Sequence, residues 1–476
     1  MSEEKTNTGF LDKTLNRARQ AWQRIADSEY DASAASMRPD LPEDDADRLV
    51  KQMHDCLEAK GGEVSARVRA AALGHVYMAL DPSGKNEFLR IMAEDFDVDH
   101  EKVRKIASQL ISEHNGGAKH IVEMQLRDLL DAPRIKLLTQ FNALPEGVKF
   151  LVDLRADLLP LTKNNPAMKA LDNDIKSLFS SWFDIGFLEL RRITWDNSSA
   201  ALLEKLIAYE AVHEIRSWDD LKNRLDSDRR CYAFFHPRMP EEPLIFVEVA
   251  LVNGLADNVQ SLLDENAPVQ DSTKADTAIF YSISNAQKGL AGISFGNFLI
   301  KRVVEHLSHE FPTIKTFATL SPIPGFLAWL EKALSEGEKG VLSVAEHKSL
   351  NALGESGRGA KGKLMDLLSS GDWTENPQTL EILKTPMMRI CARYLTQVKR
   401  HEKTTMDPVA HFHLSNGARM ESLNWMGDLS TKGMKQSAGL MINYLYKHGD
   451  IEKNHENYKA KGTVPMSSSI RSLAKK

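Results

Sequence analysis

The first part of the chain carries apolar side chains at intervals of three and four residues. This spacing runs from Leu11 to Arg192 and is typical of helices that bury one face. In segment 167–187, one face is formed by Leu171, Ile175, Leu178 and Phe179. Turn-forming clusters separate the helical segments, at 61–62, 81–84, 116–117 and 164–166. The pattern predicts a helical bundle over residues 1–192.

The pattern changes after Ile193. Short β-rich runs alternate with helical stretches at 199–208 and 297–310; the runs are 231–235, 244–252, 278–284 and 316–320. This alternation predicts an α/β domain over residues 193–476, with a helical insertion at 327–400. The polar tail from Lys447 is expected to pack poorly. A chain of 476 residues is also long enough for two domains.

Charge and cysteine content exclude several classes of protein. The net charge is -5 and both signs are mixed along the chain, so we expect no nucleic-acid partner and no anionic membrane partner. No run reaches the roughly 18 apolar residues that a membrane span needs, and Met1–Thr8 has no apolar signal core. The three cysteines are widely spaced, which suits a reducing compartment. We therefore expect a cytoplasmic protein.

A glycine-rich loop follows the predicted strand 278–284. It contains Gly289, Gly292 and Gly296 and leads into the predicted helix. The first N–H groups of such a helix have no helical partner and can bind phosphate oxygens, and glycine lets the backbone approach them. A plain connection is the alternative. The spacing differs from the dinucleotide motif GxGxxG; Gln287-Lys-Gly-Leu-Ala-Gly292 is closer to the loop that binds the coenzyme A pyrophosphate in Gcn5-related acyltransferases.

A second glycine-containing stretch imitates an ATP-binding motif. Residues 357–363 have the spacing GxxxxGK. However, Leu364 stands where a serine or threonine must bind magnesium, and no apolar strand precedes the stretch. We interpret it as a basic loop and expect no ATPase.

Ser321 and a histidine pair are candidates for acid–base chemistry. Ser321 ends the predicted strand 316–320, where α/β proteins usually bind ligands; alternatively, it caps a helix that begins near Pro324. His411 and His413 would share one face of a strand, as metal ligands can. No third ligand is evident nearby, so an acid–base histidine or a core histidine is the better interpretation. Tyr444 belongs to a packing segment that could reach a pocket.

Six ordered stretches carry a family resemblance: Phe280-Tyr-Ser-Ile-Ser284, Gln287-x-Gly-Leu-x-Gly292, Gly296-x-Phe-Leu-Ile-Lys-Arg-Val-Val304, Leu320-Ser-Pro-Ile-Pro-Gly-Phe326, Phe412-His-Leu-x-Asn-Gly-Ala418 and Gly439-Leu-Met-x-Asn-Tyr444. Together they closely resemble the malonyl-CoA decarboxylase family. The resemblance is strong from about Arg192 to Tyr446 and looser over the helical half.

The resemblance implies a helical N-terminal domain used in oligomer formation, as a dimer or tetramer, and a catalytic domain with the Gcn5-related N-acetyltransferase fold. It implies malonyl-CoA as the ligand. The implied binding residues are Gln287, Gly289, Ala291, Gly292, Ile293, Ser294, Phe295, Gly296, Asn297, Ser321 and His413. Animal members have glutamate in place of Ser294, so this position is not expected to supply an essential charge. They have asparagine in place of His411, which argues against a two-histidine metal site. Peroxisomal members end in Ser-Lys-Leu, whereas the sequence of this chain ends in Ala-Lys-Lys.

The expected reaction is loss of CO2 through a thioester enolate, which needs no metal and no cofactor beyond the coenzyme A of the substrate. We expect His413 to donate a proton or hydrogen bond, and Ser321 to hold the carboxylate. The family resemblance makes the serine the proton acceptor, and the residues alone do not separate these roles. A backbone N–H at 282–284 is expected to bind the thioester oxygen, and Tyr444 to order Ser321. The alternatives are an acyl-CoA-dependent N-acyltransferase and a non-catalytic acyl-CoA sensor.

Overall fold

The computed structural model describes residues 18–22, 25, 37–58, 63–113, 116–293, 299–351, 359–370, 372–400 and 403–475. The chain divides into two compact units. The first contains Met1–Glu189, Phe234–Leu244 and Asn285–Phe295; the second contains Leu190–Ala233, Ile245–Ser284 and Gly296–Lys476. Two segments from the α/β half therefore belong to the helical unit. A domain boundary at Arg192 remains a prediction.

The predicted helical bundle is confirmed in the first unit. Its α-helices are Glu43–Leu57, Glu63–Ala79, Pro82–Glu94, His100–Ser112, Gly116–Leu130, Pro133–Asn142, Gly147–Leu158 and Pro166–Trp182. Side chains of Asp81, Asp99 and Asn165 cap three of them by accepting a backbone N–H from the first turn. The core between the helices contains aromatic pairs such as Phe141 and Phe150, whose ring centroids are 5.0 Å apart.

The α/β half forms a mixed sheet. Its strands are β1 Glu189–Ile193, β2 Arg229–His236, β3 Met239–Val252, β4 Thr277–Asn285, β5 Thr316–Thr319, β6 Ser321–Pro322, β9 Arg419–Asn424 and β10 Met441–Leu445. The strand order is β1-β2-β3-β4-β5-β10-β6, and β9 pairs with β10. The predicted strands at 231–235, 244–252, 278–284 and 316–320 are thus confirmed, although β3 begins five residues before the predicted start. A separate two-stranded sheet joins β7 Lys399–Arg400 and β8 Thr404–Thr405.

The parallel pair β4–β5 lies in the middle of the sheet. Helix Leu299–Glu310 connects the two strands, and their register runs from Thr277 opposite Thr316 to Phe280 opposite Thr319. Strand β4 then continues to Asn285, beyond the end of this pairing. The last residues of β4 therefore extend past its parallel partner. This strand, loop, helix and strand order is the one that the family resemblance implies.

The second unit contains further α-helices. They are Ala200–Tyr209, Trp218–Arg224, Val259–Leu262, Phe326–Ser335, Val344–Asn351, Gly359–Ser370, Pro377–Gln397, Pro408–Ser415, Thr431–Ser437, Ile451–Lys461 and Ser468–Lys475. The predicted helical insertion at 327–400 is confirmed. The expectation of a poorly packed tail is wrong, because its last two helices bury Tyr458 and Ile470.

Candidate active site

Ser321 lies at the point where the chain passes from β5 into β6. It is opposite Ile442 of β10 and is 5% exposed. The interpretation of Ser321 as a helix cap is wrong, since the next helix starts at Phe326 with Gly325 as its N-cap residue. Pairing in the sheet therefore fixes the backbone of this serine, and its hydroxyl is available for other contacts.

His413 lies on helix Pro408–Ser415 and not on a strand. The Asp407 carboxylate caps this helix by accepting the N–H groups of Val409 and Ala410, at 3.0 and 2.9 Å. It also accepts the N–H of Gly325 at 3.3 Å, which ties the helix to the turn after Ser321. By capping this helix and binding Gly325, Asp407 thus places His413 near Ser321, which is distant in sequence.

The expectation that His411 and His413 share a face is also wrong. Residues two apart on a helix point to nearly opposite sides. His411 Nδ1 lies 2.8 Å from the hydroxyl of Tyr458, whereas His413 Nδ1 lies 2.8 Å from the hydroxyl of Tyr446. The two imidazoles therefore do not converge on one metal position.

A chain of hydrogen bonds runs through the buried site. His413 Nε2 lies 3.1 Å from Ser321 Oγ, and Ser321 Oγ donates to Thr319 Oγ1 at 2.8 Å. Thr319 Oγ1 also accepts the backbone N–H of Tyr444 at 3.2 Å. Together with the contact between His413 Nδ1 and Tyr446, these bonds link four side chains in one row.

Burial decides the charge of the imidazole. It lowers the pKa of His413 from 6.5 to about 3, so the ring is neutral at neutral pH and carries one proton. Burial also keeps the pKa of Tyr446 well above its usual value, so the phenol keeps its proton. The Ser321 hydroxyl already donates to Thr319 Oγ1, so it accepts from His413 Nε2, and Nδ1 is left to accept from the Tyr446 phenol. The remaining proton is therefore on Nε2 and points at Ser321 Oγ.

Tyr444, which we expected to order Ser321, contacts the site by packing, and its side chain makes no described hydrogen bond to Ser321. Its ring stacks on the His413 imidazole with centroids 4.5 Å apart and planes at 24°. Its buried hydroxyl has no partner among the described residues. The tyrosine that bonds the histidine is Tyr446, which the sequence analysis missed. Its position two residues after Tyr444, on the same face of an extended segment, was the available signal.

The predicted oxyanion segment is held by a carboxylate. Glu210 accepts the hydroxyl of Ser282 at 2.7 Å and that of Ser284 at 3.0 Å. Its Oε1 also accepts the N–H groups of Val212 and His213, each at 2.8 Å. The end of β4, past its pairing with β5, is therefore fixed from one side by Glu210.

The predicted phosphate loop belongs to the helical unit up to Ile293, its last described residue. Gln287 is buried, and its amide donates to the carbonyl of Pro243 at 3.0 Å, so it anchors the loop. A Cβ on Gly289 would lie 1.8 Å from the Val152 carbonyl oxygen, so only glycine fits there. Ala291 and Gly292 are exposed, and Ile293 is half-buried. Four further predicted positions lie outside the described residues: Ser294, Phe295, Gly296 and Asn297.

The helical unit supplies a residue that the sequence analysis missed. Arg155 is 2% exposed and donates from Nη1 to the carbonyls of Gly289, at 2.6 Å, and Ala291, at 2.9 Å. Its Nε bonds the buried carboxylate of Asp172 at 2.9 Å. Arg155, itself fixed by this ion pair, therefore holds the loop through its carbonyl groups.

Family models match most of the chain. A model described as malonyl-CoA decarboxylase C-terminal domain matches residues 186–476, and one described as malonyl-CoA decarboxylase N-terminal domain matches residues 96–183. Two curated relatives carry the name "Malonyl-CoA decarboxylase, mitochondrial". The one from Anser anser anser is 37% identical over 425 residues, which is 86% of this chain and 83% of that one. The one from Mus musculus is 38% identical, covering 83% and 82%.

Solved structures agree with these matches. The crystal structure of malonyl-CoA decarboxylase from Rhodopseudomonas palustris has a TM-score of 0.80 and 40% identity, covering 90% of this chain and 99% of that one. The enzyme of the same name from Agrobacterium vitis has a TM-score of 0.80 and 38% identity, covering 89% and 99%. Within the described ranges, no helix has the length and apolar character needed to cross a membrane.

Proposed function

Because the chain belongs to the malonyl-CoA decarboxylase family, we propose that it converts malonyl-CoA into acetyl-CoA and CO2 with His413 and Ser321 as its catalytic residues. The observation that carries this assignment is the oriented hydrogen-bond chain, in which Nε2–H of His413 faces Ser321 Oγ. A buried neutral donor suits a reaction that creates a basic carbon atom and then protonates it.

The chemistry needs one proton and no external oxidant. The bond between C2 and the carboxylate breaks, CO2 leaves, and its electron pair remains on C2, delocalised as an enolate on the thioester oxygen. A proton then bonds to C2 to give the acetyl group. Since the thioester accepts the electrons, we propose that neither a metal nor a redox cofactor takes part.

The hydrogen-bonded residues of the site and the backbone near it have separate roles in this proposal. Ser321 orients the malonyl carboxylate, and His413 supplies the proton through Nε2–H, either directly or through the serine hydroxyl; solvent then returns a proton to Nε2 before the next turnover. Tyr446 fixes the tautomer, because its O–H donates to Nδ1 and leaves the proton on Nε2. A backbone N–H at the end of β4, beyond its pairing with β5, binds the thioester oxygen. The loop from Gln287 into the following helix takes the phosphates of coenzyme A.

The test is turnover of malonyl-CoA by the pure protein without added metal, with acetyl-CoA measured by mass spectrometry. Ser321→Ala should lower kcat about a hundredfold or more and change malonyl-CoA affinity little. Ser437→Ala is the matched control, because it removes another buried serine hydroxyl in the same unit. An unchanged kcat in Ser321→Ala would remove the serine from the mechanism, and tight binding without turnover in the wild type would favour an acyl-CoA sensor.

We infer that the protein forms a homo-oligomer, a dimer or tetramer, through its helical half. Helices His100–Ser112 and Gly116–Leu130 pack on each other, and neither contains a buried residue. Their large exposed apolar side chains are Ile111, Ile121, Met124 and Leu130. A second copy of the hairpin would cover them. Light scattering of the wild type and of Ile121→Glu should give an oligomer and a smaller species, respectively.

The proposed location is the cytoplasm. All three cysteines, Cys56, Cys231 and Cys391, are free and buried, which suits a reducing compartment. Fractionation of cells that express the tagged protein tests this, since the curated relatives are named as mitochondrial.

A further inference from the structure

Gly292 brings the backbone of the loop close to a lysine of the helical unit. It has φ +76°, a left-handed conformation that favours glycine. A Cβ at this position would lie 3.5 Å from Nζ of Lys176, on helix Pro166–Trp182. A primary ammonium group therefore lies beside the exposed turn of the loop.

The N–H of Gly292 is an uncommitted donor in this turn. The neighbouring N–H groups of Leu290, Ala291 and Ile293 donate to carbonyls of the same loop, at 3.0, 3.1 and 3.0 Å. Gly292 N–H has no acceptor among the described residues. A backbone donor without an internal partner at a left-handed turn is a common element of anion sites.

Lys176 also lacks a counter-charge within the described part of the chain. Two turns earlier on the same helix, Lys169 pairs with Asp172 at 3.0 Å, whereas no described carboxylate pairs with Lys176. Arg155, a buried cation that also contacts this loop, is already used by Asp172 and by two carbonyl groups. The uncommitted charge and the uncommitted N–H therefore occur together.

We propose that Lys176 and the N–H of Gly292 bind one phosphate group of the coenzyme A moiety, so that the helical unit contributes directly to substrate binding. The proposal rests on the proposed function for the identity of the ligand. Phosphate oxygens accept charge-assisted hydrogen bonds from an ammonium group and from backbone N–H groups alike. Lys176 is on this view a binding residue that acts on affinity and leaves the chemical step unchanged.

The experiment is calorimetric titration of the full chain with coenzyme A, 3′-dephospho-coenzyme A and pantetheine. Lys176→Met should weaken coenzyme A binding about tenfold, raise KM for malonyl-CoA by a similar factor and leave kcat unchanged. Lys163→Met is the control, since it removes an exposed lysine charge just before the same helix. Increasing salt should reduce the difference between wild type and Lys176→Met.

The three ligands identify the phosphate and give the result that would overturn the proposal. Equal weakening for both coenzymes assigns Lys176 to the diphosphate, and weakening for coenzyme A alone assigns it to the 3′-phosphate. The proposal fails if Lys176→Met binds coenzyme A as Lys163→Met does, or if pantetheine binding weakens as much. Binding is measured without turnover. A wild type that binds coenzyme A but makes no acetyl-CoA would therefore refute the proposed decarboxylase activity and leave the phosphate-binding role of Lys176 intact.

Discussion

The two regions assigned to the two ends of malonyl-CoA differ in burial and in charge. Around Ser321 and His413, the hydrogen-bonding side chains are buried and neutral. At the loop around Gly292, exposed backbone lies close to charged side chains. These are the ion pair of Arg155 with Asp172, and Lys176 next to Gly292. The first region places a proton with precision, whereas the second attracts charge.

This difference follows from what each region must stabilise. A neutral imidazole in a dry site holds one proton at one nitrogen, and its hydrogen bonds are strong because little water competes. A phosphate keeps its charge in water, so an exposed ammonium group and an open loop are enough to hold it. We therefore expect changes in the first region to act on kcat and changes in the second to act on KM.

The largest expected effect comes from removing the imidazole. His413→Gln takes away the Nε2–H donor while it keeps a polar side chain of similar size. We expect kcat to fall about 10²–10⁴-fold, with little change in KM for malonyl-CoA. Steady-state kinetics measure both, and unchanged coenzyme A affinity shows that the variant is folded. A kcat within a factor of about three of the wild type would contradict the assignment.

The next effect separates the two tyrosines of the site. Tyr446→Phe removes the donor to His413 Nδ1 and leaves a buried acceptor unpaired, at a cost of about 1–3 kcal/mol. If this cost falls on the reactive tautomer, kcat drops by a factor of about 5–150. Tyr444→Phe is the control, since it keeps the stacked ring and removes a hydroxyl without a described partner. Equal losses in both variants would mean that Tyr446 does not set the tautomer.

A smaller effect, on KM and not on kcat, is expected from a change in the glycine-rich loop. Gly289→Ala would place a Cβ 1.8 Å from the Val152 carbonyl oxygen, so the loop must move. We expect KM for malonyl-CoA to rise about tenfold, while kcat is retained. Gly116→Ala, at a glycine of the same unit with open space around it, should leave both constants unchanged. A fall in kcat at constant KM would break the division of labour between the two regions.

Sequence patterns predicted most of the fold and one half of the site. Strands β4 and β5 were found within a residue or two because β-rich runs end there at turn residues. The strand expectation for His413 failed although Asp407-Pro408 is a typical helix start, with a capping aspartate before a proline. Motif resemblance located Ser321 and His413, which are 92 residues apart.

The residues that hold the two regions in place could not be predicted from local sequence patterns or motif resemblance. Arg155 and Lys176 have the spacing of ordinary solvated helix positions, and their contacts with residues 289–292 depend on tertiary packing. Tyr446 resembles its neighbour Tyr444 in sequence, and only the geometry shows which hydroxyl reaches the imidazole. Local patterns thus identify the proposed catalytic residues better than they identify the residues that hold them in place.

The last effect is on stability as a function of pH, and it tests whether burial keeps His413 neutral. The pKa is about 3 in the folded protein and about 6.5 in an unfolded chain. Between these values the unfolded chain binds more protons, so the contribution of the neutral imidazole to stability is complete above pH 6.5 and is lost as the pH falls toward 3. The expected loss from this group is up to about 2 kcal/mol between pH 6.5 and 5.

Urea unfolding of wild type and His413→Gln at pH 7.5, 6.5, 5.5 and 5.0 measures this loss. Burial also lowers the pKa of His213 to about 4, but that group is present in both proteins and cancels in the difference. The stability difference between the two proteins should therefore shift in favour of the variant as the pH falls. Parallel curves would mean that His413 titrates normally in the folded protein, and the contrast between a neutral reactive region and a charged phosphate region would then be lost.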